Sequence, residues 1–230
     1  MRISLPAAPT GKGRSDVMGT AGRGLRAATA IAAFAALTAC GTEKQSASDQ
    51  APATPEQVQG MVHVCSSCHG LEGRSISPTF PRLAGQQAAY IEVQLKAFRD
   101  KTRADPHAHT YMWGMAAHLS DPLIQGLAAY FAAQSPVPGT PGDPADMAAG
   151  QKIFVEGLPE RDVPACQACH GEHAEGMETI PRLAGQHRDY LTEQLVNFAS
   201  NARVNEVMHA NSKPMSPVEI REITAFLAAQ

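Results

Sequence analysis

The chain has 230 residues, 19 basic and 22 acidic side chains, five cysteines and only 5% aromatic residues. So even a charge balance excludes the strongly basic surface of a nucleic-acid binder. The scarcity of aromatics leaves little material for one large apolar core.

In chain order, a leader comes first. Arg14, Arg23 and Arg26 precede an uncharged stretch of 13 residues at 27–39, which is too short to span a bilayer permanently. Its ending, Leu37-Thr38-Ala39-Cys40, resembles the bacterial lipoprotein box, in which the cysteine is lipidated and becomes the mature N-terminus. Residues 1–40 are therefore expected to be a lipoprotein-type signal peptide with Cys40 as the lipidated residue. An ordinary leader with an incidental cysteine is the alternative, and Met18 offers a second start. Residues 41–54 are polar, without apolar period, and read as a flexible tether.

Thr54-Pro55-Glu56-Gln57 then forms a capping box with proline at the first helical position. The helix it opens leads into Cys65-Ser66-Ser67-Cys68-His69. A second pentapeptide, Cys166-Gln167-Ala168-Cys169-His170, follows 101 residues later. Cys-x-x-Cys-His is the attachment pattern of a c-type haem: two thioether cysteines, then a histidine under the iron. Two copies imply two haem c groups. A single four-cysteine zinc site would need pairs about a hundred residues apart and would leave both histidines unexplained. A thioredoxin-like redox pair would need a strand–helix context that this chain does not offer.

The halves repeat. Residues 81–98 (PRLAGQQAAYIEVQLKAF) and 181–198 (PRLAGQHRDYLTEQLVNF) agree at ten of eighteen positions, which points to internal duplication. Residues 135–144 are dense in Pro and Gly and separate the copies, giving domains at 55–137 and 144–230 joined by a linker at 138–143. Tyr90, Ile91, Gln94, Leu95 and Phe98 follow helical spacing, as do Tyr190, Leu191, Leu195 and Phe198. Ser120 and Ser216 each open a last helix, and no alternating run proposes a sheet. The fold class expected is all-α, with each small copy completed by a covalently held haem.

A haem iron bound by one histidine leaves a sixth position, and a methionine thioether is one standard occupant. Met112 and Met208 each lie eight residues before the serine that opens the last helix, so the repeat makes them equivalent. Met115 and Met215 are the neighbouring alternatives without a partner in the other copy. His63, His107, His109, His118, His173, His187 and His209 read mainly as solvated, with His107 and His109 as rival ligands.

Together these residues resemble a dihaem cytochrome c of the cytochrome c4 family, two class I cytochrome c folds in tandem. The carrying motifs are both Cys-x-x-Cys-His segments, both Pro-Arg-Leu-Ala-Gly-Gln segments and Met112-x-Gly114-Met115, and the match covers residues 54–230. The resemblance implies thioethers at Cys65, Cys68, Cys166 and Cys169, and axial pairs His69/Met112 and His170/Met208. It also implies that the Pro81 and Pro181 carbonyls orient the histidines. Arg82 and Arg182 are candidates to pair with haem propionates.

The first forty residues hold five of the basic and one of the acidic side chains, so the remainder carries a net charge of −7. Residues 51–137 hold six of each sign, and residues 138–230 hold seven basic and thirteen acidic. Lys96, Arg99, Lys101 and Arg103 form a basic run on the first copy, so the copies could dock different partners, a solvated face being the alternative. The expected function is a periplasm-facing electron carrier, anchored by lipid to a bacterial membrane, the outer one favoured. It would shuttle single electrons from a membrane donor to a terminal oxidase or reductase. The alternatives are a fixed subunit of a larger dehydrogenase or oxidase, or a dihaem enzyme of peroxidase or thiosulfate-oxidising type.

Overall fold

The computed structural model describes residues 51–230, so the leader, Cys40 and most of the tether lie outside the described residues. Secondary structure is helical; among the described residues β pairing is confined to two isolated bridges, Leu158 with Val163 and Met177 with Ile180. No helix among the described residues is long and apolar enough to cross a membrane.

The first half opens with α1 (Pro55–His69). Its capping box forms as the sequence requires: the Thr54 hydroxyl accepts from Gln57 N at 3.3 Å, and Gln57 Oε1 accepts from Thr54 N at 2.8 Å. After a loop come α2 (Ala88–Arg99), a single π-helical turn (Ala108–Met112), α3 (Trp113–Ala116) and α4 (Asp121–Ala132). The second half repeats this order with α5 (Pro144–Glu156), α6 (Gln167–His170), α7 (Arg188–Ala199), α8 (Glu206–Ser212) and α9 (Pro217–Ala228).

Two local differences separate the copies. Cys65 lies only ten positions after Pro55, whereas Cys166 lies twenty-two after Pro144. Accordingly α1 runs unbroken through its cysteine motif, while the second motif stands on the short α6. The other difference is how the first and last helices of each half cross. In the first half a Cβ at Gly126 of α4 would lie 2.5 Å from Val58 Cγ2 on α1. In the second, a Cβ at Gly150 of α5 would lie 2.1 Å from the Glu222 carbonyl on α9. Each crossing needs one residue without a side chain, and the copies place it on opposite helices.

Each half has its own core. Val62, Ile91, Phe98, Ile124, Leu127 and Phe131 centre the first; Ile153, Phe154, Val163, Leu191, Ile223 and Leu227 centre the second. The segment between the halves is held down: Thr140 N donates to the Ala228 carbonyl at 2.8 Å.

Candidate haem centres and the interface between them

His69 ends α1 and is 7% exposed, and His170 ends α6 at 9%. The next residue in each case is a glycine at positive φ, Gly70 at 76° and Gly171 at 84°, a conformation that stops the helix directly after the histidine. The chain then turns back so that the proline of each repeat meets the ring. His69 Nδ1 lies 2.8 Å from the Pro81 carbonyl, and His170 Nδ1 lies 3.0 Å from that of Pro181. A carbonyl can only accept, so Nδ1 carries the proton and Nε2 keeps its lone pair for a metal. Burial lowers both histidine pKa values, against the opposing pull of the carbonyls, and so keeps the rings neutral as a ligand must be.

Within each pentapeptide the first cysteine is half-buried and the second exposed, and none of the four is paired in a disulfide. Desolvation pushes Cys65 and Cys166 up to about 11. Among the described residues no three His, Cys, Asp or Glu side chains converge as a metal site, so a zinc centre shared between the motifs is not built. A thiol pair beside a buried, oriented imidazole, once in each half, fits a covalently held haem.

The methionines are placed unequally. Met112 packs against the first core together with Cys65, Leu83, Leu95 and Trp113, and Met115 is 55% exposed. In the second half Met208 is half-buried on α8, while Met215 packs against the core beside Cys166. The Phe80 ring contacts those of His69 and Tyr111, at centroid distances of 6.1 and 5.3 Å.

The repeated Pro-Arg-Leu-Ala-Gly-Gln segments meet each other across a two-fold-like interface. Gln86 Nε2 donates to the Arg182 carbonyl at 2.9 Å and Gln86 Oε1 accepts from Arg182 N at 2.7 Å. Gln186 does the same with Arg82, at 2.9 and 2.8 Å. The Arg82 guanidinium donates to the Gly185 carbonyl across the same boundary. His187, expected to be solvated, instead places Nε2 2.9 Å from the Ser75 carbonyl of the other half.

Deeper in the interface lies a network that sequence reasoning missed. Gln94 Oε1 and Gln194 Oε1 each accept from both Arg103 and Arg203, at 2.7–2.9 Å. Each arginine stacks on the phenylalanine of its own half, Phe98 or Phe198, at 4.7 and 4.6 Å. Its signal was the arginine five residues after the repeated phenylalanine in both copies. The basic run of the first copy is correspondingly dispersed: the Arg103 side chain, only 10% exposed, is turned into this network, Arg99 and Lys96 pair with Asp121, and Lys101 lies over Trp113. It is not a free basic face.

Comparison with known proteins agrees with this arrangement. Residues 56–134 match the model of the cytochrome c family, and residues 145–227 match that of cytochrome c oxidase, cbb3-type, subunit III. Cytochrome c4 of Thiocapsa roseopersicina is 36% identical over 71% of this chain and 85% of its own. The chain belongs to the cytochrome c4 family. Cytochrome c-552 of Acidithiobacillus ferridurans is 40% identical, over 72% of this chain and 73% of that one. Among solved structures, cytochrome c4 of Acidithiobacillus ferrooxidans superposes with a TM-score of 0.69 at 39% identity, covering 72% of this chain and 98% of its own. That of Pseudomonas stutzeri gives 0.69 at 33%, covering 78% and 99%. Like its relatives, this member carries two covalently bound haem c groups and transfers electrons; it is not an enzyme.

Proposed function

We propose that each haem is joined to one motif, through Cys65 and Cys68 in the first domain and Cys166 and Cys169 in the second. His69 with Met112, and His170 with Met208, are the axial pairs. The observation that carries this is the paired histidine–proline geometry, which leaves one Nε2 lone pair free in each half. The haem supplies one-electron chemistry, and a filled sixth position suppresses reaction with oxygen or peroxide. The protein's own part is to hold neutral histidines, exclude water with two small cores and keep the halves in fixed register. We place the domains at 55–137 and 144–230, the chain at the periplasmic face and the lipid on Cys40, with Arg82 and Arg182 near the propionates. The electron route runs from a membrane donor to a terminal oxidase or reductase.

A second acceptor role has specific support. A relative named thiosulfate dehydrogenase electron acceptor, from Thiomonas intermedia, is 32% identical over 72% of this chain and 78% of its own. A dehydrogenase is therefore the second donor class to test.

The test is the spectrum of the dithionite-reduced holoprotein before and after carbon monoxide. An unchanged spectrum supports two filled sixth positions. A shift of about half the Soret intensity, one iron of two, refutes one axial pair.

A further inference from the structure

The two methionine-bearing segments are built differently, and the difference leads across the interface. Met112 lies at the end of a π-helical turn, a geometry that is rare and occurs frequently at functional sites. Met208 lies within α8, a regular helix capped by Asn205, whose Oδ1 accepts from Met208 N at 2.9 Å.

Two residues after the repeated arginine, where the second domain has Asn205, the first has Asp105, which is fully buried and serves another purpose. Its carboxylate accepts from Arg103 Nε at 2.7 Å, while its carbonyl accepts from His109 N at 3.0 Å at the start of the π turn. Trp113, directly after Met112, donates from Nε1 to the Arg103 carbonyl at 2.8 Å. Arg103 thus grips the methionine segment at both ends, and its own Nη2 is held by Gln194 Oε1 of the second domain at 2.9 Å. A second cross-domain contact lies beside it: His107 Nδ1 comes within 2.8 Å of Glu193 Oε2, without the alignment of a hydrogen bond. Arg203 also reaches across, to Tyr90 and Gln94, but that grip is not passed on. Asn205 is used as a cap, and His209, in the place of Trp113, bonds Phe198 of its own half at 2.8 Å. Among the described residues, 204–215 make no hydrogen bond or ion pair to the first domain.

We propose that Gln194 and Glu193 of the second domain are positioning residues for the sixth ligand of the first haem, acting through Arg103, His107 and the π turn. The second haem's ligand is set by its own domain alone. This rests on Met112 being that ligand. The consequence is one-way communication: whatever breaks the Gln194 and Glu193 contacts to the first domain loosens ligation at the first iron and leaves the second unchanged.

The experiment compares holoprotein variants Gln194→Ala and Glu193→Ala with Met112→Ala and Met208→Ala. The readouts are the ferric methionine-to-iron charge-transfer band in the near infrared and the rate of carbon monoxide binding to each ferrous haem. Loss of a direct outer partner of a metal ligand typically costs about 10–100-fold. Because Gln194 acts one step further out, through Arg103, carbon monoxide should bind one haem faster in Gln194→Ala by roughly tenfold, the lower end of that range. Glu193→Ala, at a partly exposed site, should act in the same direction on the same haem. That haem should be the one opened by Met112→Ala, with the haem opened by Met208→Ala as in the wild type. If Met112→Ala leaves the band whole, the ligand assignment itself fails. Should Met112→Ala halve the band while both interface variants match the wild type, the positioning role alone is overturned. Equal loosening of both haems overturns it as well, because that is a general loss of structure.

Discussion

At the scale of single residues, the molecule repeatedly uses a backbone carbonyl to settle the state of a side chain. The Pro81 and Pro181 carbonyls choose the histidine tautomer, and no side-chain substitution at those prolines removes the acceptor. Charged residues show the opposite sensitivity. Glu219 accepts from the Arg161 guanidinium and from Ser216 N and Oγ, and Arg161 draws its pKa down to about 2. A carboxylate depressed on folding stabilises the fold above its unfolded pKa and ceases to do so as pH falls through the folded value. Glu219→Gln should therefore destabilise the holoprotein by about 1 kcal/mol near neutrality, the range for a partly exposed pair. The difference from wild type should shrink between about pH 5 and pH 2, as thermal unfolding at several pH values will check.

At the scale of elements, the helix crossings are the sensitive points. Gly150→Ala would drive a Cβ into the Glu222 carbonyl, and because both atoms involve backbone, the helices must separate. We expect a loss of about 1–3 kcal/mol, as for overpacking elsewhere, read as a lower midpoint of thermal unfolding. Gly60→Ala, at an exposed position of α1, is the contrast: nothing lies within 4 Å of its Cβ. There the gain in helix propensity should stabilise by about 0.5–1 kcal/mol.

For the whole molecule, the decisive feature is that two domains from one duplicated sequence face each other through the duplicated segment. Gln86 and Gln186 are 7% and 6% exposed and each makes a paired amide contact to the opposite backbone. The double variant Gln86→Ala/Gln186→Ala leaves buried backbone groups unpaired, at about 1–3 kcal/mol each. Faster proteolysis in residues 135–143 would report the loosened docking, with both haems still covalently attached. Charge belongs to this scale too. With the first domain's basic run internally paired, the acidic second domain dominates steering. Electron transfer to a cationic inorganic oxidant should slow as salt rises, and transfer to an anionic one should quicken.

Much of this was legible in one dimension because it rests on local chemistry. The capping boxes at Thr54 and Ser216, the helices at 88–99 and 188–199, and the all-α architecture follow from spacing and from groups a few residues apart. So does the motif chemistry, since two thioethers and a neighbouring ligand must be adjacent in sequence to share one haem. The even spacing of Met112 and Met208 from Ser120 and Ser216 was legible too, but it concealed two different local structures. Tertiary structure alone decided that Met112 sits on a π turn and Met208 on a capped helix. It also decided that Gln86 and Gln186 serve the interface and that Arg103 is turned into it rather than part of a basic face. Those outcomes depend on partners about a hundred residues away. Sequence periodicity records which side of a helix is apolar, and it carries no record of which distant segment will cover a polar one.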